Sequence, residues 1–109
     1  MVVQGTASAE RINANLVAID PNYAALKLVG AAGNDTITGS AWADTINGGA
    51  DVDLMSGGYE SDTYIFNTGD ADAGDTIVEP SSGSETDVIS VETDVDFSAM
   101  TASSFDEIE

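Results

Sequence analysis

The chain has 109 residues, 42% of them hydrophobic but only 6% aromatic, and a formal charge of −18. That length holds one domain at most, and its core has to be assembled from small aliphatic side chains. Nucleic acid is excluded because phosphate binding needs a basic surface, while the absence of Cys and His removes thiol chemistry and the usual soft-metal ligands; hard cations are the expected partners.

The charge is unevenly spread. Arg11 and Lys27 are the only basic residues, and of the twenty acids only Glu10 and Asp20 lie before residue 28. Residues 28–109 therefore carry eighteen acids and no basic side chain, so that segment cannot form an internal salt bridge. No apolar run reaches the length of a membrane span, so no membrane insertion is expected. The N-terminus lacks the basic start and apolar core of a cleaved signal peptide, so an exported protein would carry its signal elsewhere.

Residues 1–11 (MVVQGTASAER) offer a short apolar start and then small polar residues. From Ile12 the text becomes INANLVAIDPNYAALKLV, and counting back by nine from Ile37 lands on Leu28 and Ile19. Leu26 and Val17 occupy the places where Asp stands in later blocks. Residues 1–29 are accordingly expected to form N-terminal capping coils that close the end by apolar packing without a metal. An irregular strand pair before the coils is the alternative.

Residues 30–66 carry the strongest signal. In blocks of nine, Gly30, Gly39, Gly48 and Gly57 stand first, Asp35, Asp44, Asp53 and Asp62 sixth, and Ile37, Ile46, Met55 and Tyr64 eighth. No helical period produces three fixed columns at that interval. Six residues rich in Gly, Ala, Asn and Asp suit a tight turn, because Gly and Asn tolerate positive φ. Three residues then run as a strand whose middle side chain alone faces inward. Two blocks make one coil of a flattened spiral, so turns eighteen residues apart stack, Asp35 on Asp53 and Asp44 on Asp62. Facing carboxylates and inward carbonyls form an all-oxygen cage that suits calcium, whereas magnesium demands tighter octahedral geometry and keeps its waters.

After Tyr64 the period breaks, although DTYIF (62–66), DTIVE (75–79) and DVISV (87–91) repeat the Asp-x-apolar order at wider spacing. Residues 67–109 are thus expected to continue as stacked strands with longer turns, Ile77 and Ile89 pointing inward. Phe97, Met100, Phe105 and Ile108 would supply a closing cover, and Ser104 to Glu107 could begin a short helical turn as a capping box. The ending carries no closing signal, which suggests a module of a longer polypeptide.

The Gly, Asp and apolar columns resemble the Gly-Gly-x-Gly-x-Asp-x-apolar-x calcium repeat of secreted RTX (hemolysin-type) proteins. The resemblance spans roughly residues 12–109 and is most specific over 30–66; DFSAMTASSFDEIE is similar to modules in large bacterial surface-layer and adhesin-type RTX proteins. It implies an all-β, right-handed parallel β-roll (a β-solenoid), calcium between stacked turns, and an extracellular product of type I secretion. Carried over residue by residue, it implies one ion among Gly30, Ala32, Asp35, Gly49, Asp51 and Asp53. A second would lie among Gly39, Ala41, Asp44, Gly58, Glu60 and Asp62, most contributions being backbone carbonyls. A further ion at the C-terminal edge would use Gly48 or Gly57 with Asp53 or Asp62, completed by Asp70 or Asp75.

This chain departs from the repeat where only the third and fourth blocks open with Gly-Gly, and where Trp42, Asp51 and Glu60 replace the fourth-place Gly. A bulky residue forced to positive φ there is strained, so the 39–44/57–62 site is expected to be the weaker one. Trp42 reads as an exposed turn aromatic, with contact to a neighbouring domain as the functional alternative. An EF-hand starting at Asp70 fails because Asp75 and Ser81 stand where that loop needs Gly and Glu. The Asn34-Asp35-Thr36 sequon is discounted because the turn already accounts for Asn34 and Asp35.

The chain is not expected to be an enzyme. Carboxylates alone would have to do the chemistry, as in glycosidases, and metal cages already explain their spacing. The expected role is a calcium-binding structural module that folds on meeting calcium, since a single column of apolar residues cannot offset the entropy of ordering so many turns. The alternatives are a surface-layer, adhesin, glycan- or ice-contacting module, and the non-catalytic end of a secreted enzyme. Seventh-place Thr36, Thr45 and Thr63 recur, but the ninth place holds Thr38, Asn47, Ser56 and Ile65, so no complete outward ladder exists. Neighbouring domains of a longer chain or cell-surface components would be the further partners.

Overall fold

The computed structural model describes residues 2–14, 26–67, 75–78, 86–91, 101–103 and 107–108. Eleven strands follow in order: β1 Val2–Gln4, β2 Arg11–Asn13, β3 Lys27–Ala32, β4 Thr36–Thr38, β5 Thr45–Ala50, β6 Leu54–Ser56, β7 Thr63–Phe66, β8 Thr76–Val78, β9 Val88–Val91, β10 Thr101–Ser103 and β11 Glu107–Ile108. Odd-numbered strands make one parallel sheet in the order β1-β3-β5-β7-β9-β11. Even-numbered strands make the other, β10-β8-β6-β4-β2. A chain that alternates between two parallel sheets at every step is a flattened coil, so the fold is an all-β parallel roll. No α-helix occurs among the described residues, and none there is long and apolar enough to cross a membrane.

The core is a double column. Leu28, Ile46, Tyr64 and Ile89 stack on one sheet, while Ile37, Met55 and Ile77 stack on the other, each no more than 2% exposed. Strand registers place these residues directly over one another: Leu28 on Ile46 on Tyr64 on Ile89, and Ile37 on Met55 on Ile77. Their neighbours in the short strands alternate outward, the burial pattern expected of a three-residue strand with one inward side chain. Inward-facing Ile77 and Ile89 match the sequence expectation, as does the continued stacking of strands beyond Tyr64.

Coil length changes along the roll. Between Leu28 and Tyr64 the paired residues are eighteen apart, as the nonapeptide count requires. At the C-terminal end the interval grows to 22 from Met55 to Ile77 and 25 from Tyr64 to Ile89. The N-terminal coil also spans 25, pairing Val3 with Leu28 and Ile12 with Ile37. The residue opposite Ile37 is therefore Ile12 and not Ile19, because the extra seven residues shift the count. Ile19 and Val17 themselves lie outside the described residues, as do Asp70, Phe97, Met100, Ser104 and Phe105. Glu107 belongs to a strand paired with β9, in place of the short helical turn expected there.

Two local features differ from the simple turn-and-strand scheme. Strands β3 and β5 run on through the first three places of the next block, pairing Ala31 with Gly49 and Ala32 with Ala50. In the turn after Ser56, the buried Tyr64 hydroxyl accepts the Gly57 N–H.

Candidate metal centre

Every sixth-place Asp of the four blocks is buried, at 2% exposure or less, and so are Asp75 and Asp87 at 0% and 4%. Burying ionisable side chains at this density is costly unless each oxygen meets a donor or a cation. One oxygen of each is used by the backbone. Asp35 N–H donates to Asp53 Oδ1 at 2.9 Å, and Asp53 N–H donates to Asp75 Oδ1 at 2.8 Å. On the opposite edge Leu26 N–H donates to Asp44 Oδ1 at 3.1 Å, Asp44 N–H to Asp62 Oδ1 at 2.8 Å and Asp62 N–H to Asp87 Oδ1 at 3.0 Å. Each acid thus supplies the acceptor that the previous coil's backbone needs where the strand ladder stops. The main chain locks the pairs a second time, since Leu54 N–H donates to the Asp35 carbonyl and Thr63 N–H to the Asp44 carbonyl.

The second oxygen separates the Gly39–Asp44 turn from Gly30–Asp35 and Gly48–Asp53. Asp35 Oδ2 and Asp53 Oδ2 are buried and have no hydrogen-bond partner. Each lies over the first Gly of its own block: a Cβ on Gly30 would strike Asp35 Oδ2 and the Gly48 carbonyl together, and one on Gly48 would strike Asp53 Oδ2. Glycine is needed at both places because the acid of the same turn folds over it, and at Gly30 the carbonyl of the next coil converges there as well. Burial pushes the Asp35 carboxyl up, against the Glu10 N–H hydrogen bond, which lowers it. Burial pushes Asp53 up to about 7, with the neighbouring Asp75, Asp35 and Asp51 charges adding to the rise. A bound cation would reverse both effects.

Asp44 is different. Ser40 N–H donates to its Oδ2 at 2.6 Å, and the Ser40 hydroxyl lies 3.0 Å from Oδ1 and 2.9 Å from Oδ2. Backbone conformation follows the same division. Positive φ occurs at the second and fourth places of three blocks: Ala31 (93°) and Gly33 (99°), Gly49 (101°) and Asp51 (79°), Gly58 (112°) and Glu60 (71°). The second block has none, so Trp42 escapes the strained conformation that Asp51 and Glu60 accept. Trp42 is 42% exposed, the turn aromatic expected.

Of the residues implicated by sequence, Gly30, Asp35, Gly48 and Asp53 converge on one edge, with Ala32 and Gly49 in the paired strands above them. Asp51 is exposed, and its Oδ2 accepts the Gly33 N–H at 3.0 Å. Gly39, Asp44, Gly57 and Asp62 are buried on the other edge, whereas Ala41 and Glu60 are exposed. Asp75 joins the Asp35 edge through Asp53. No three acidic side chains gather into a metal-binding group among the described residues, so a cation here would take much of its coordination from carbonyls. That donor set, with unmatched buried carboxylate oxygens, fits a hard cation of calcium's size.

One block escaped the sequence reading. Gly5 to Asn13 has Gly first, Glu10 sixth and Ile12 eighth, and it stacks on Gly30 to Thr38. Glu10 N–H donates to Asp35 Oδ1 at 2.8 Å, as Asp35 N–H does to Asp53. A Cβ on Gly5 would strike Glu10 Oε2 and the Gly30 carbonyl, the same contact pair found at Gly30. The signal was the same three columns, with Glu for Asp and an offset of 25 in place of a multiple of nine.

Parallel coils with buried acids repeating on both edges define a solenoid of oxygen-lined, cation-binding turns. The family model of the RTX calcium-binding nonapeptide repeat matches residues 28–64 in four copies. That segment is an array of RTX repeats, its cofactor is calcium, and the match covers about a third of the chain. No curated protein and no solved structure is matched by the chain.

Proposed function

We propose that this chain is a structural module of a secreted protein, one that completes its fold on meeting extracellular calcium. The observation that carries the reading is the pair of buried carboxylate oxygens, Asp35 Oδ2 and Asp53 Oδ2, that meet no donor. An unmatched anionic oxygen is among the most costly groups to bury, and a divalent ion removes that cost while tying two coils together. On this reading one ion is held by Asp35 and Asp53 with carbonyls from Gly30, Ala32, Gly49 and Asp51. A further ion at the C-terminal side would use Asp53 and Asp75 beside Gly48.

The location follows from affinity. Extracellular calcium modules bind at about 10⁻⁴–10⁻³ M, far weaker than cytosolic calcium buffers. A chain with eighteen acids and no base after residue 27 would stay open at low calcium and close after export. Far-ultraviolet circular dichroism in EGTA and then in millimolar calcium tests the reading. The expected outcome is a gain of β signal on adding calcium, and an identical β spectrum in both conditions would contradict it.

A further inference from the structure

Five turns in the described residues run from a first-place Gly to a sixth-place acid, and they fall into two kinds. In Gly5–Glu10 and Gly39–Asp44 the second place is a hydroxyl residue, Thr6 or Ser40, and that residue binds the acid of its own turn. Thr6 N–H reaches Glu10 Oε1 and Oε2 at 3.0 and 2.9 Å, and Thr6 Oγ1 donates to Oε1. Ser40 N–H and hydroxyl hold both oxygens of Asp44 in the same way. In Gly30–Asp35 and Gly48–Asp53 the second place is Ala31 or Gly49 at positive φ, and the acid's Oδ2 has no donor. Gly57–Asp62 shares that backbone, with Gly58 at φ 112°.

We infer that the second-place residue decides whether a turn takes an ion, and that Ser40 keeps the Gly39–Asp44 turn closed to calcium. This rests on the functional reading above and narrows it to particular turns. Ser40 acts twice. Its N–H and hydroxyl together satisfy the Asp44 carboxylate, so an incoming cation would have to displace charge-assisted hydrogen bonds and gain only the balance. Its Oγ also accepts the Trp42 N–H at 3.1 Å, a local hydroxyl turn that holds the fourth place away from the positive φ seen at Gly33, Asp51 and Glu60. Conformation and ligand supply are thereby set by one side chain. Ala31, at the equivalent place of the first block, has no hydroxyl and adopts φ 93°.

Calcium titration calorimetry of the full chain, with wild type, Ser40→Gly and Ala31→Ser, tests the inference. Ser40→Gly is expected to bind one more calcium per chain than wild type, and Ala31→Ser one fewer. Unchanged stoichiometry in both variants would overturn it. If Ser40→Gly does not fold, as judged by its β spectrum in calcium, the Ala31→Ser count decides alone. A wild-type chain that takes up no calcium at all would overturn the functional reading together with this one, a result distinct from a wild type that binds while the variants match it.

Discussion

Two turns of the roll, Gly30–Asp35 and Gly39–Asp44, use the same nonapeptide and reach different ends. On the Asp35 edge the strand ladder continues through the turns, Ala31 and Gly49 take positive φ, and the buried oxygens Asp35 Oδ2 and Asp53 Oδ2 stay unmatched. In the Gly39–Asp44 turn Ser40 folds back on its own acid and the second block keeps ordinary φ throughout, although Gly58 and Glu60 on the same edge take positive φ. Both edges share the hydrogen bond from one acid's N–H to the next acid's Oδ1. The recurring Asp therefore has two separable oxygens: Oδ1 completes the backbone of the adjacent coil, and Oδ2 is the one that, on our proposal, an ion takes where the turn permits it.

The largest expected effect comes from Asp53→Ala, which removes both roles at once. It would leave the buried Asp35 N–H without an acceptor, a loss of about 1–3 kcal/mol before any ion is counted. Chemical denaturation in calcium should show at least that loss, and calorimetry should show fewer bound ions. A variant with wild-type stability and stoichiometry would break the comparison at its centre.

Gly49→Ala comes next. The left-handed region costs a residue with a Cβ roughly 1–2 kcal/mol, and the added carbon would collide with the Ala31 carbonyl. Thermal unfolding in calcium should fall accordingly, and an unchanged midpoint would mean that the Asp35-edge turn is looser than described.

Acidity should separate the metal-free and calcium-loaded proteins. Burial raises the Asp53 carboxyl from its ordinary 3.8 to about 7, so the folded chain binds the proton more tightly than the unfolded one. Its contribution to metal-free stability is then fully present below about 3.8 and is lost as pH rises through about 7. In EGTA, the β signal should be stronger at pH 5 than at pH 8. In limiting calcium the order should reverse, because protons compete for the same oxygen. Parallel pH dependence in the two conditions would show that Asp53 is no part of the ion's surroundings.

How much of this was legible in the sequence follows from what holds the period constant. Ile37, Ile46, Met55 and Tyr64 were readable as a core column because each coil there is eighteen residues, so equal spacing in sequence becomes equal height in the roll. Val3 and Ile12 were hidden because the first coil is seven residues longer, which moved the expected partner to Ile19. The 39–44/57–62 site was expected to be the weaker one from bulk at the fourth place. Trp42 avoids positive φ, so that reason does not hold there, and the contact of Ser40 with the acid is what sets the turn apart. Such a contact depends on a hydroxyl and a backbone angle together, and a column of residue types carries only the first.

The smallest expected effect sharpens that point. Trp42→Ala should change stability by no more than about 0.5 kcal/mol, the usual range for an exposed position, and should leave calcium stoichiometry alone. A gain of a bound ion would instead assign the closure of that turn to the indole.

The comparison is tested most directly by counting calcium ions on Asp35→Asn and Asp44→Asn side by side in one calorimetric series. The account predicts that Asp35→Asn loses one ion relative to wild type and that Asp44→Asn keeps the full number. Equal losses in the two variants would contradict it.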